Sequence, residues 1–318
     1  MIQRILLATD FSRWARRAED YACALACSWR ASLTVLSVAE FPPGLNPAYS
    51  VNQQYLADLL KQASSQLVDL KARAERRGIA VTTRVATGIP SEEVLTVARA
   101  EDSDLLVVGT RGKTDLAHVL LGSTAERVIR GAPCPVLTVR MEPADTEDEG
   151  VLSRPVTLER ILVPIDFSDC SLDALEYATL VAQRAKASLM LLHVLEPVSY
   201  SLDFTLSHVR TGEQVRESWT KRLGELAFSH QHPNVPVESR LRGGLPVDSI
   251  LDFAQTLPCD LIVMGTHGRR GLSHALSGSV AEAVLRKARC PVLTVHSPKM
   301  GPGLRRVIPT EMSPVTHT

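Results

Sequence analysis

Leu105-Leu106-Val107-Val108-Gly109-Thr110-Arg111-Gly112, nine further residues, then Gly122-Ser123: this stretch decides the fold. A charge-free apolar run stops at a glycine, a second glycine follows three residues on, and a third opens a segment with Ala125, Val128 and Ile129 at helical spacing. The chain writes the pattern again as Leu261-Ile262-Val263-Met264-Gly265-Thr266-His267-Gly268, nine residues, then Gly278-Ser279, with Ala281, Val284 and Leu285 behind it. The offset is 156 residues, and it also carries Asp10 onto Asp166, Gly88 onto Gly244 and Cys134 onto Cys290. Two copies of one domain are expected, aligned without a net insertion.

Working outward, short apolar runs recur in both halves. They are Ile5–Ala8, Leu33–Ala39, Leu105–Val108 and Val136–Val139, then Ile161–Ile165, Leu189–Val194, Leu261–Met264 and Val292–Val295. Continuous apolar runs of this length, bounded by turn residues, read as strands buried on both faces of a parallel sheet. Val81–Val85 and Val235–Leu241 alternate more and read as outer strands. Helical patterns separate the runs. Ser12 is the expected N-cap of a helix burying Ala18, Tyr21, Ala22, Leu25 and Ala26. Val51, Tyr55, Leu59, Ala63, Leu67, Leu70 and Ala74 mark a long amphipathic helix, and Pro90-Ser91-Glu92-Glu93 opens another with acids in its first turn. Strands alternating with helices predict an α/β fold of two doubly wound sheets with right-handed crossovers. The expected division is domain one over 1–141, an acidic linker over 142–156, domain two over 157–297 and a loosely ordered tail over 298–318.

Bulk properties bound the function. The 318 residues carry 35 basic and 35 acidic side chains, which argues against a nucleic-acid binder, since those normally show a basic excess. No apolar run approaches the length that spans a membrane, and the N-terminus does not read as a signal peptide. Six cysteines occur without a CxxC pair, so cytoplasmic residence with reduced thiols is expected.

The glycine loops carry the chemistry. In an open α/β sheet, ligands bind beyond the carboxyl ends of the strands. Glycine there permits close approach of main chain to a ligand, and the helix begun by Gly122-Ser123 or Gly278-Ser279 offers free N–H groups that attract phosphate. The alternative is that these glycines only shape turns. The helix dipole supplies about 0.3–2 kcal/mol, whereas micromolar affinity needs roughly 8 kcal/mol, so a pocket for a base is also required. Asp10 and Asp166 follow the first strand of each half, where an acid can accept from ribose hydroxyls; capping the next helix is the other reading. Val38 and Val194 end the second strand and are candidates to floor the base. Arg111, or His267 and Arg269, would add charge near the phosphates. Gly112-Lys113-Thr114 is not a P-loop, because position 107 is Val where that motif needs Gly.

Other clusters read as structural. Cys23 and Cys27 lie four apart on one helix face and read as buried small hydrophobes; Cys134 and Cys290 each precede Pro at a strand start. His230 and His232 fall in a loop, and His193 ends a strand with a packing role favoured. No metal site and no catalytic residue is assigned, and the Ser-Gly-Gly loop of pyrophosphate-cleaving synthetases is absent.

Together these residues resemble the universal stress protein family in its tandem form, over about 280 residues. Its ATP-binding members carry Gly-x2-Gly-x9-Gly-Ser/Thr, matched twice here, and a Val-Pro-x-Asp-x-Ser signature. Val163-Pro164-Ile165-Asp166-Phe167-Ser168 fits that signature fully, whereas Leu7-Ala8-Thr9-Asp10-Phe11-Ser12 has Ala8 in place of Pro. The Val after the last Gly-Ser is Val280 in the second half and Thr124 in the first. The resemblance implies Rossmann-like, adenine nucleotide alpha hydrolase-like domains, each with a five-stranded parallel sheet. It implies ATP, often with Mg²⁺, at Ala8, Asp10, Val38, Gly109, Arg111, Gly112, Gly122, Ser123 and Thr124, and at Pro164, Asp166, Val194, Gly265, His267, Gly268, Gly278, Ser279 and Val280. It further implies that Val136–Val139 and Val292–Val295 pair within one chain as an internal pseudo-dimer, with a homodimer and a protein partner as further associations. The function expected is a nucleotide-responsive stress or signalling factor. The rivals are a slow ATPase and a dimerisation scaffold that binds no nucleotide.

Overall fold

The structure, a computed structural model, describes residues 2–40, 49–110, 112, 121–141, 156–197, 206–266 and 278–296, with the side chains of 50, 51 and 206–211 left aside. The N-terminal half runs β1 (Arg4–Ala8), α1 (Arg16–Trp29), β2 (Ser32–Ala39), α2 (Ser50–Glu75), β3 (Val81–Thr87), α3 (Pro90–Ala100), β4 (Leu105–Gly109), α4 (Ser123–Gly131) and β5 (Val136–Val139). The C-terminal half repeats this order as β6 (Arg160–Pro164), α5 (Asp169–Ala185), β7 (Ser188–Leu195), α6 (Leu206–Ser229), β8 (Val237–Gly243), α7 (Pro246–Thr256), β9 (Leu261–Gly265), α8 (Ser279–Lys287) and β10 (Val292–Val295).

Within each half every pairing is parallel, in the order β3-β2-β1-β4-β5 and β10-β9-β6-β7-β8. The more alternating runs are the outer strands β3 and β8, as their sequence predicts. β8 starts at Val237 rather than Val235, because Pro236 has no N–H for the ladder and Val235 instead bridges to His232. β5 and β10 join antiparallel, with Val292 opposite Thr138, Leu293 opposite Leu137 and Thr294 opposite Val136, so that one ten-stranded sheet crosses the chain. The hydroxyls of Thr138 and Thr294 donate across this joint to the carbonyls of Val292 and Val136, at 2.8 and 3.3 Å.

Strand side chains alternate between two apolar layers that run through both halves. Ile5, Leu7, Leu33 and Val35 pack under α1 and α2 with Tyr21, Leu25, Leu67 and Leu70. Leu6, Leu36, Leu106 and Val136 pack on the other face with Val94, Ala125, Val128 and Ile129 of α3 and α4. Complete burial of the strands explains why they read as continuous apolar runs.

Three local expectations are corrected. Ser12 does not cap α1: Arg13, Trp14 and Ala15 form a turn first, closed by Ala15 N–H to the Ser12 carbonyl at 3.0 Å, and the helix starts at Arg16. In the other half Ser168 does cap α5, accepting from the Ser171 amide. Tyr55 is 45% exposed because the first half of α2 lies beyond the apolar layer, which its Leu67, Leu70 and Ala74 enter. Cys23 is buried as expected, but Cys27 is exposed and donates weakly to the Arg77 carbonyl, Sγ to oxygen 3.6 Å.

Candidate functional site

The order β3-β2-β1-β4-β5 puts the topological switch point between β1 and β4, and ligands in such sheets enter at the carboxyl ends of those two strands. Both sequence motifs of the N-terminal half meet there. Asp10 lies just beyond β1 and Gly112 just beyond β4. A Cβ placed on Gly112 would stand 2.9 Å from Asp10 Oδ2, inside contact distance. These two positions are 102 apart in the chain (112 − 10), and glycine is what lets them approach. The other oxygen, Oδ1, accepts from the Ser12 amide at 2.9 Å, so Asp10 shapes its own turn with one oxygen and faces the glycine with the other.

Thr110 and Gly122 meet at this edge. Thr110 N–H bonds to the Val139 carbonyl at 3.0 Å and Gly122 N–H to the Thr110 carbonyl at 2.7 Å, closing the loop at its base. Gly122 then caps α4 in an extended conformation with no side-chain cap. The first helical bond runs from Glu126 N–H to the Gly122 carbonyl, so the amides of Ser123, Thr124 and Ala125 lie ahead of the helical ladder. Ser123 and Thr124 are exposed at this edge. Ala8 and Val38 are half-buried against the apolar layer that includes Leu36 and Val108, and Ala86 of β3 joins them. The edge thus offers an acid, a glycine, a helix start and an apolar floor.

The C-terminal half repeats most of this. Asp166 Oδ1 accepts from the Ser168 amide at 2.9 Å and from its hydroxyl at 2.5 Å. Thr266 N–H reaches the Val295 carbonyl at 3.0 Å and Gly278 N–H the Thr266 carbonyl at 2.5 Å, closing the equivalent loop. Gly278 caps α8, whose first residues are Ser279 and Val280; Val194 and Val280 are half-buried against the same apolar layer, and Pro164 ends β6 half-buried. Gly265 is glycine for a packing reason: a Cβ there would meet the main chain and sulfur of Cys170 at 2.8 Å. Arg111, His267, Gly268 and Arg269 lie outside the described residues. Phe11 and Phe167, each following the acid, hold φ of 58° and 62°, a left-handed conformation rare for a bulky side chain.

Side chains packed behind the two acids distinguish the halves, and of these sequence reasoning passed over Thr9, Glu19 and Trp219. Thr9 and Glu19 form a buried pair behind Asp10, with Thr9 Oγ1 donating to Glu19 Oε1 at 2.8 Å. Burial pushes the Glu19 carboxyl above its usual range, against the lowering effect of the Thr9 hydrogen bond and of Arg73. In the C-terminal half, His193 is buried, as the packing reading expects. Its Nδ1 lies 2.6 Å from the Ile165 carbonyl, which only accepts, so Nδ1 carries the hydrogen. Trp219 lies against the His193 ring at 4.6 Å between centroids, Phe167 meets both, and the Arg222 guanidinium covers Phe167 at 4.2 Å. The signal for both clusters is the offset itself, which pairs Thr9 with Ile165, Glu19 with Leu175, Ser37 with His193 and Ala63 with Trp219. Among the described residues, no group of three His, Cys, Asp or Glu side chains is arranged to hold a metal ion, and no helix is long and apolar enough to cross a membrane.

Fold and edge geometry define a tandem protein of two doubly wound α/β units, each with an acid and a helix-starting glycine at the carboxyl edge of a parallel sheet. The chain belongs to the universal stress protein family, whose profile matches residues 1–140 and again 157–296. It is 26% identical over 299 residues to a universal stress protein of Mycolicibacterium smegmatis, covering 92% of this chain and 96% of that one. A universal stress protein of Mycobacterium tuberculosis is 28% identical over 264 residues, 81% of this chain and 83% of the relative. A universal stress protein of Methanocaldococcus jannaschii is 33% identical over 141 residues, 44% of this chain and 83% of the relative, as a single unit against one half would give. In fold, the chain is similar to the crystal structure of a universal stress protein from Archaeoglobus fulgidus, with a TM-score of 0.66 at 22% identity, covering 93% of this chain and 99% of that one.

Proposed function

We propose that each half binds an adenine nucleotide, ATP in the first instance, and that occupancy makes the chain a nucleotide-responsive stress factor. The observation that carries this reading is the approach of Gly112 to Asp10 Oδ2: a bare main-chain segment and a carboxylate oxygen share one edge, with a helix start beside them. In this reading Asp10 and Asp166 accept from the ribose hydroxyls. Ala8 and Val38, or Pro164, Val194 and Val280, floor the base. The loops Gly109–Gly112 and Gly265–Gly268 bend around the phosphates, with Arg111 or His267 adding charge. The amides that begin α4 and α8, with Ser123, Thr124 and Ser279, take the terminal phosphates. Mg²⁺, if it accompanies ATP, is held chiefly by phosphate oxygens and neutralises part of their charge.

The working units are 1–141 and 157–297, tethered by the acidic 142–156 and followed by the tail 298–318. The β5–β10 joint acts as an internal pseudo-dimer contact, leaving homodimerisation and a protein partner to other surfaces. Cytoplasmic residence fits the six free thiols among the described residues.

The test is the nucleotide content of purified protein, by acid release and chromatography, followed by calorimetric titration with ATP and Mg²⁺. Two adenine nucleotides per chain are expected. One per chain would restrict the reading to one half, with Ala8 and Thr124 marking the N-terminal site as the empty one. No nucleotide and no heat would leave the dimerisation scaffold, and sustained phosphate release would assign the slow ATPase.

A further inference from the structure

The two halves secure the acid-bearing turn by different means. In the N-terminal half the Thr9 hydroxyl accepts from the Phe11 amide at 3.0 Å and donates to Glu19 Oε1 at 2.8 Å. The Thr9 side chain and the Asp10–Phe11 peptide are thereby tied to Glu19 on α1, which is 7% exposed. In the C-terminal half Ile165 and Leu175 stand in these places, 3% and 0% exposed, while Phe167 keeps the same left-handed turn. The turn therefore forms without the tether, and the tether is an addition to one site.

A threonine hydroxyl has one hydrogen. With its lone pair engaged by Phe11 N–H, that hydrogen goes to Glu19. An ionised Glu19 receives it as a charge-assisted bond, about twice as strong as the bond to a neutral carboxyl. The charged groups around Glu19 are Arg73 of α2, with Nη2 3.8 Å from Oε2, and Arg16 and Asp20 of α1; the Cys23 thiol faces it from the same helix. Burial, the largest effect, holds the carboxyl above its usual range.

We propose that Glu19 is a positioning residue that makes the N-terminal site, and not the C-terminal one, release nucleotide as pH falls. Protonation slackens the Glu19–Thr9–Phe11 tether and with it the placement of Asp10. The proposal rests on the nucleotide reading of that edge. Affinity is full above the Glu19 pKa and is lost as pH falls through it. Folding stability moves the other way: a carboxyl whose folded pKa is raised binds its proton more tightly in the folded chain, so its contribution improves at lower pH. Opposite trends in binding and stability are a signature that mere acid loosening of the fold would not give.

The experiment uses the full chain with one site silenced, by Gly278→Val or by Gly122→Val, and titrates ATP at several values from about pH 8 down toward the ordinary carboxylate range, about pH 4.3. ATP's own protonation is common to both. The Gly278→Val chain, which reads the N-terminal site, should lose about fivefold more affinity than the Gly122→Val chain over that range. Glu19→Gln should remove the difference, and so should the double variant Thr9→Ile/Glu19→Leu, which copies a pair already packed in the other half. Equal pH slopes in the two halves, or a slope that survives Glu19→Gln, would overturn the proposal. Hydrogen exchange at the Phe11 amide in nucleotide-free protein reads the tether without nucleotide. Its protection should fall with pH in the parent chain and stay level in Glu19→Gln, and a level profile in both also overturns the proposal. Absence of ATP binding at every pH would instead sink the nucleotide reading, leaving the Phe11 exchange to decide the tether.

Discussion

Tyr177, on α5 of the C-terminal half, donates its hydroxyl to the main-chain carbonyl of Asp104 in the N-terminal half, at 3.1 Å. Burial pushes its pKa well above the usual 10.0, so the phenol remains a donor throughout the working pH range. The Asp104 side chain meanwhile accepts from the amides of Gln3 and Arg4 at 2.8 and 2.9 Å, so the bond locks α5 onto a fixed corner of the other half. Arg184 adds a second crossing, donating to the Trp29 carbonyl at 3.0 Å. Tyr177→Phe should lower the unfolding free energy by about 1–2 kcal/mol, the cost of stranding a buried acceptor. Urea denaturation checks this, and an unchanged midpoint would mean that the β5–β10 ladder and the other contacts of the seam hold it without this bond.

Gly112→Ala should weaken nucleotide binding in the N-terminal half while sparing the fold. The new methyl would meet Asp10 Oδ2 at 2.9 Å, and the carboxylate can turn away only by giving up the Ser12 amide bond on its other oxygen. We expect about a tenfold loss of affinity at that site, or about 1.4 kcal/mol. Adding Gly112→Ala to Asp10→Ala should cost little more, since the group it displaces is already gone. Calorimetry on the single and double variants decides; strict additivity would show that the glycine acts apart from Asp10.

Gly265→Ala should behave in the opposite manner, damaging the fold first. Its Cβ would lie 2.8 Å from the carbonyl carbon, the carbonyl oxygen and the sulfur of Cys170, and main chain cannot step aside as a side chain can. Overpacking of this kind costs about 1–3 kcal/mol. Adding Cys170→Ala removes only the sulfur clash, so thermal unfolding should recover in part. Full recovery would place the whole strain on the thiol.

The cysteines should separate by rate. Burial raises the Cys23 and Cys259 thiols to about 11. At about pH 8 only about one in a thousand of either would be thiolate, the reactive form. Cys27 is exposed. Iodoacetamide labelling followed by peptide mass spectrometry should modify Cys27 first and leave Cys23 and Cys259 slow. Raising the pH toward 11 should speed both, since their thiolate fraction climbs tenfold per unit until the pKa is reached. Early labelling of Cys23 would show that α1 opens locally.

The strands were legible because burial on both faces leaves a continuous apolar run, and Val136–Val139 and Val292–Val295 coincide with β5 and β10. Helix starts were less so. Ser12 and Ser168 stand at equivalent places, yet only Ser168 caps, because Arg13-Trp14-Ala15 makes a turn where Asp169-Cys170-Ser171 begins a helix. The pairing of β5 with β10 came from family resemblance and its antiparallel direction only from the structure, since a run such as Val-Leu-Thr-Val encodes neither its partner nor its direction. The acids and glycines of the edge were visible as motifs, but their approach in space was not. Glu19 was missed for a physical reason: a carboxylate within Arg-Ala-Glu-Asp reads as a solvated helix face, and only the fold reveals a threonine above it and a closed layer around it.

Trp219 should report on the C-terminal site alone. The chain has three tryptophans, and the other two, Trp14 and Trp29, belong to the N-terminal half. Trp219 sits 5.3 Å from Phe167, and Phe167 follows Asp166 directly in a left-handed turn, so the indole is mechanically joined to the acid proposed to hold ribose. His193 completes the link, stacking on Trp219 while its Nδ1–H holds the carbonyl of Ile165, on the other side of Asp166. A shift of that turn on ligand binding must therefore move rings around the indole. With Trp14→Phe and Trp29→Phe in place, ATP should change the remaining fluorescence, and Gly278→Val should abolish the change. The Gly122→Val chain should respond as fully as the parent. A response lost with Gly122→Val would tie the probe to the wrong half. ATP binding by calorimetry without any fluorescence change would mean that Asp166 is already placed for its ligand and that the aromatic cluster serves to hold it still.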